Sequence, residues 1–223
     1  MENAKRLTDQ LAETLASHIL TGKWAIGEKM PSDQELCQTH SVSRTVLREA
    51  LRVLGAKGLI TARPRVGTLI AEKSAWALWD ADVLTWLGRC QTAQQKVDIS
   101  QQIFDIRIAL EPAMAALASS RASAGDKQAL QDSLRALQAD PTAAQEQAFM
   151  RCLYQLSGNA FAATASHLAC WDIDQRQTPP PLLAYAALTA AISQSATVAA
   201  RQCAVDYLMQ GLSDNSHEGR SFD

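Results

Sequence analysis

The tightest constraint on this chain is a pair of capped helix starts in its first third. Ser32, with Glu35 three residues on, carries the reciprocal signature that opens a helix. Ser43 opens another, Ser43-Arg44-Thr45-Val46-Leu47-Arg48, with Val46, Leu47, Ala50, Leu51 and Leu54 toward a core. Gly58 is placed to end that helix in left-handed backbone. Upstream, Leu7, Leu11, Leu15 and Ile19 recur every four residues and predict a helix over 7–20. Downstream, short extended runs at 59–62 and 67–71 flank Arg63-Pro64-Arg65-Val66, the pattern of a hairpin. Helix, loop, short helix, tight turn, helix and hairpin together make the layout of a winged helix-turn-helix.

The placement of the basic residues fits that layout. Arg44, Thr45 and Arg48 share one exposed face near the start of the third helix, where a recognition helix meets base edges. The planar fork of arginine matches O6 and N7 of guanine. Arg52 continues the face one turn later. The hydroxyls of Ser43 and Thr45, with the unpaired N–H groups of the helix start, suit phosphate. Arg63 and Arg65 flank the wing tip. An arginine pair on a helix is, taken alone, an ordinary solvated surface. The capped start, the preceding short helix and the basic hairpin turn the reading to double-stranded DNA.

Composition supports two segments with different work. Residues 1–72 hold ten Lys and Arg against eight Asp and Glu, whereas the rest of the chain is acidic. No apolar run reaches the roughly 18 residues of a membrane span. The start lacks the apolar stretch of a signal peptide. Five cysteines without a C-x-x-C pair fit reduced thiols, so the expected compartment is the cytoplasm. A cysteine-nucleophile enzyme is disfavoured because no histidine pairs visibly with Cys152 or Cys170; the expectation is no enzyme.

Trp76, Trp79, Val83 and Trp86 fall at helical intervals and read as a core-facing stripe in a segment joining two domains; Asp80 and Asp82 are candidate caps or ion-pair partners there. The second half is rich in Ala, Leu and Gln and poor in Gly, a helical composition. Breakers at Gly125, Pro141, Gly158, Pro179–Pro181 and Gly211 cut it into pieces near 99–120, 124–137, 142–156, 160–173, 181–193 and 196–212. The expected architecture is therefore mainly α: a winged helix-turn-helix over 1–72, a joining segment over 73–92, a bundle of six or seven helices over 93–213, and a flexible tail over 214–223.

The motifs Pro31-Ser32-Asp33-Gln34-Glu35-Leu36, Val42 to Leu51, Gly58-Leu59-Ile60 and Gly67-Thr68-Leu69-Ile70 resemble the N-terminal domain of the GntR family of transcription regulators. That resemblance implies DNA contacts by Arg44 and Arg48. It places Ser32 and Gln34 on the preceding helix, where relatives carry a third DNA-contacting arginine, and shifts the wing contact to Arg65 beside Gly67. Further on, Asp105 to Pro112 and Ala148 to Asn159 resemble the FCD-like effector domain of the FadR-type branch. The segment from Trp76 to Trp86 is similar to regulators of sugar-acid breakdown, such as galactonate-responsive repressors.

Many domains of that branch hold a divalent metal on one Asp and three His. The Asp and the first His lie four apart on one helix, and the other two His come from the last two helices. The matching positions here read Glu146, Met150, Tyr185 and Tyr207. The chain's histidines, at 18, 40, 167 and 217, do not rebuild the set. The expectation is no metal and no other cofactor, with a metal-free cavity bordered by Arg107, Glu146, Met150, Tyr185 and Tyr207. Arg107 is either a clamp for the carboxylate of a small acid or one half of a salt bridge to Glu111; Arg151 is a weaker candidate clamp. The implied function is a homodimeric, operator-binding regulator, a repressor in the leading reading, of a small-carboxylate or sugar-acid operon. The alternative keeps DNA binding and leaves the second domain only dimerisation or protein contact.

Overall fold

A computed structural model describes the backbone of residues 2–176 and 178–218, and the side chains of 5–176 and 178–210. The chain forms two compact units, Met1–Ala93 and Gln94–Asp223.

The first unit is built as the capping signals dictate. Helix α1 (Glu2–Leu20) starts earlier than its leucine repeat, because that repeat marks only the buried face. Helix α2 (Asp33–His40) opens on a complete capping box: the Ser32 side chain accepts from Glu35 N–H, and Glu35 accepts from Ser32 N–H at 2.7 Å. Ser41 then takes a left-handed conformation, φ 53°, which turns the chain within three residues into helix α3 (Arg44–Ala56). Ser43 caps α3 through Val46 N–H. Its far end closes with Gly58 N–H on the Gly55 carbonyl and Leu59 N–H on the Leu54 carbonyl, the paired bonds of a Schellman motif. Strands β1 (Ile60–Arg63) and β2 (Gly67–Ile70) pair antiparallel, with Arg63 opposite Gly67.

Helices α1 and α3 face each other across Leu11, Leu15, Ile19, Leu47, Ala50 and Leu54, all buried; Leu36, Leu59 and Ile70 complete the core. Each such side chain contributes roughly 1.5–3 kcal/mol by leaving water. The segment expected to join two domains is part of this unit. Helix α4 (Ala81–Cys90) is capped by Asp80, and its Val83 and Trp86 enter the same core. The tryptophan stripe breaks up because the helix starts only after Asp80: Trp76 bonds the Ala71 carbonyl from a half-buried loop, and Trp79 is exposed. Arg89 ties α4 back to Glu13 on α1 at 2.8 Å.

The second unit is helical throughout its described residues: α5 (Ala93–Arg121), α6 (Ala124–Ala139), α7 (Ala143–Leu156), α8 (Ala160–Ala163), α9 (Ser166–Gln175), α10 (Leu182–Ser193) and α11 (Thr197–Glu218). Ser123 with Asp126, Thr142 and Asn159 cap α6, α7 and α8. The single helix expected over 160–173 is two, because the chain turns at Thr164 and Ala165. Helix α11 runs on to Glu218 through the start of the expected tail; residues 219–223 lie outside the described residues. The core gathers Leu130, Leu137, Phe149, Met150, Leu153, Tyr154, Tyr185, Leu188 and Tyr207. The five cysteines are free thiols. Among the described residues no helix is long and apolar enough to cross a membrane.

Candidate DNA interface and the interior of the second unit

Helix α3 divides cleanly by angle. At 100° per residue, Arg44, Arg48, Arg52 and Thr45 fall within an arc of about 100°, opposite the arc of Leu47, Ala50 and Leu54. The apolar arc is fully buried against α1, so the arginine arc faces solvent. Among the described residues, Arg44 and Arg48 make no hydrogen bond or ion pair with the protein, which leaves both forks available to an outside acceptor. Arg52 differs: its Nε pairs with Glu49 at 3.0 Å, and both side chains are exposed.

The other expected DNA residues lie on the surface too. Ser32, Gln34, Ser43, Arg63, Arg65 and Gly67 are all exposed. The wing tip turns through left-handed backbone at Arg65, φ 64°, and at Gly67, φ 112°. The wing carries one further basic residue, Lys29. Lys29 forms an isolated antiparallel bridge to Leu69, and its side chain lies over Gly67, where an added Cβ would come within 3.0 Å of Lys29 Cε. In the sequence only the polar-to-apolar step from Lys29 to Met30 marks it, too short an alternation to read as a strand.

The second unit buries all five expected pocket residues. Glu146, on α7, is 2% exposed and accepts two hydrogen bonds from Arg176 Nη2, both at 2.5 Å, and one from Tyr185 Oη at 2.6 Å. The Tyr185 ring packs 4.8 Å from Phe149 and 5.2 Å from Tyr207. Met150 is fully buried. The Tyr207 hydroxyl is buried without a partner. Burial pushes the Tyr185 phenol well above its usual range, and the Glu146 carboxylate adds to that. Arg176 is held above its ordinary value: burial opposes its charge, and Glu146 outweighs burial.

Arg107 is not an open clamp. It is 5% exposed; its Nε donates to Glu111 at 2.6 Å and its Nη1 to Asp172 on α9. Tyr154 Oη completes the set by donating to Glu111 at 2.8 Å. Burial disfavours the guanidinium, but Glu111 and Asp172 overcome it and raise the Arg107 pKa. Of the two readings of Arg107, the structure shows the salt bridge to Glu111. Arg151 is engaged as well, donating to Cys170 Sγ at 3.2 Å. Among the described residues of this unit a groove lies elsewhere. It encloses about 360 Å³ and is lined by Arg176, Thr178, Pro179 to Ala184 and Gln210. None of the five expected pocket residues lines it. Arg176 went unremarked in the sequence because its partner, Glu146, is thirty residues away.

Comparison with known proteins bears on both units. The profile for bacterial regulatory proteins of the gntR family matches residues 7–70, and the FCD domain matches residues 102–170. An uncharacterised HTH-type transcriptional regulator of Escherichia coli, YieP, is 33% identical over 74% of this chain and 73% of its own length. The galactonate operon transcriptional repressor of the same organism is 31% identical, over 57% of this chain and 54% of its own. Among solved structures, a Streptococcus agalactiae GntR superposes with a TM-score of 0.53 at 23% identity, covering 93% of this chain and 99% of that one. Lar, which controls expression of the Listeria monocytogenes agr system, gives 0.59 at 14% identity, covering 96% and 97%. At such identities the two structures speak to the fold alone. With a helix-turn-helix head, an FCD body and a relative of this identity and coverage, the chain belongs to the gntR family of bacterial transcriptional regulators.

Proposed function

We propose that this regulator binds double-stranded operator DNA as a homodimer in the cytoplasm and represses an operon for breakdown of a small carboxylate of the sugar-acid class. The carrying observation is the exposed, unpaired pair Arg44 and Arg48 at the capped start of α3. In this reading they contact base edges. Ser32, Gln34, Ser43, Thr45 and Arg52 hold phosphates beside them, and Arg63, Arg65, Gly67 and Lys29 form the wing contact. The match to a galactonate operon repressor supports the repressor role and the substrate class.

The effector reading moves from the packed interior to the groove. Its volume suits a small acid, and Arg176, whose charge is paired with Glu146 but whose Nε has no partner, stands in its lining. The burial of Glu146 and its engagement by Arg176 and Tyr185 favour a second reading, in which the FCD body binds no effector and serves dimerisation. The test is to select duplexes from a random pool and titrate the recovered duplex by fluorescence anisotropy with and without aldonates. A near-palindromic duplex whose affinity drops at least tenfold with one acid supports the first reading. An unchanged affinity across the acids supports the second. Recovery of no preferred duplex contradicts both.

A further inference from the structure

The resemblance to metal-bearing FCD domains directs attention to what balances Glu146. The residues present do not fit a divalent ion. Both Glu146 oxygens are engaged by Arg176, and one also accepts from Tyr185. Met150 offers only a weak thioether. Tyr185 already donates its hydroxyl hydrogen to Glu146. Tyr207 brings a hydroxyl with no partner, which by itself is no seat for a dication. Among the described residues no three His, Cys, Asp or Glu side chains converge as a ligand set. Charge decides the matter. Glu146 and Arg176 already pair, so a dication would have to displace the guanidinium or share the buried site with it.

We propose that Arg176 is a built-in cation: its guanidinium supplies, from the chain itself, the positive charge that a bound metal would bring to this centre. The geometry shows what the substitution accomplishes. Arg176 follows the last residue of α9, Glu146 lies on α7 and Tyr185 on α10. One carboxylate therefore joins three elements through protein donors alone. A fork with several N–H groups can satisfy a carboxylate and remain charged at any physiological pH. The second unit is thus assembled in one charge state, insensitive to metal supply. The proposal is independent of whether the groove binds an acid.

The full-length protein is tested in two arms. In the first, wild-type protein is dialysed against Zn²⁺, Ni²⁺ and Mn²⁺ in turn, and bound metal is counted by mass spectrometry. Less than about 0.1 equivalent per chain is expected, and the melting temperature should move by less than about 1 °C with metal or chelator, since a ligand that does not bind the folded state cannot stabilise it. In the second, M150H/Y207H is compared with M150H/Y207H/R176M. Two imidazoles and the freed Glu146 make a zinc-competent set only when the guanidinium is gone. At least tenfold tighter Zn²⁺ binding is expected in the triple variant. Retention of one equivalent by the wild type, or equal zinc affinity in the two variants, overturns the proposal. If the triple variant does not fold, the wild-type arm decides.

Discussion

Single residues show best where sequence reasoning succeeds. Arg44 and Arg48 were readable because a capped start fixes the helix phase, and phase alone decides which side chains face out. Arg107 was ambiguous for the opposite reason. Its neighbour Glu111 is four residues away and visible, but Asp172 is sixty-five residues away and Tyr154 arrives from another helix. Long-range partners leave no periodic trace. Arg107→Met leaves Glu111 buried with only the Tyr154 hydroxyl, and removing one half of a buried pair costs about 3–5 kcal/mol. Urea denaturation should record that loss; a variant within about 1 kcal/mol of wild type would show that the pair contributes little. Gly58 is a second sharp case. Its φ is 70°, and an added Cβ would lie 1.9 Å from the Ala75 carbonyl oxygen. Gly58→Ala should destabilise the protein by more than the roughly 1 kcal/mol typical of left-handed strain alone, because backbone must also move. A thermal midpoint equal to wild type would contradict that geometry.

Among the elements, the third helix and the fourth are tied at their adjoining ends. Lys57, the last residue around the α3 terminus, donates to Asp80 at 2.6 Å and pairs with Asp82 at 2.8 Å, with its ammonium 5.9 Å from the Trp86 ring centre. Asp80 meanwhile caps α4. Asp80 and Asp82 were legible as caps or ion-pair partners, but not with Lys57, since nothing local links residues so far apart. Burial would raise the Asp80 carboxyl; the Lys57 ammonium and the Val83 N–H outweigh it and hold the group below its usual range. A depressed carboxyl stabilises the fold above its unfolded pKa, and that contribution is lost as pH falls through the lower folded value. Acid unfolding of Asp80→Asn should therefore show a weaker dependence on pH below about 4 than wild type. Parallel acid-unfolding curves for the two proteins would show that the tie carries no pH-dependent stability. Tryptophans at helical spacing predict a helix over the whole stretch 76–86. Here the helix begins only after Asp80, and its buried face belongs to the first unit.

For the whole molecule, the change of composition near residue 72 suggests two segments with different work, and the joining segment over 73–92 puts the start of the second domain at 93. The compact units divide between Ala93 and Gln94, with α4 packed into the head. The helix count of the second unit was legible from its breakers. The partners of Glu146 and Arg107 were not, because periodicity reports which face is buried and not which side chains meet there. A single head offers few base contacts, and two linked heads multiply affinity without new contacts. Sedimentation at micromolar concentration is therefore expected to show a dimer; a monomer with full affinity for one half-site would contradict the twofold reading. The central claim is that α3 reads base sequence through Arg44 and Arg48. Its most direct test is the affinity of Arg48→Ala, measured by fluorescence anisotropy on the selected duplex and on a scrambled duplex at the same salt. The account predicts a loss of about 1–3 kcal/mol on the selected duplex and little change on the scrambled one. Equal losses on both, or none on either, would contradict it.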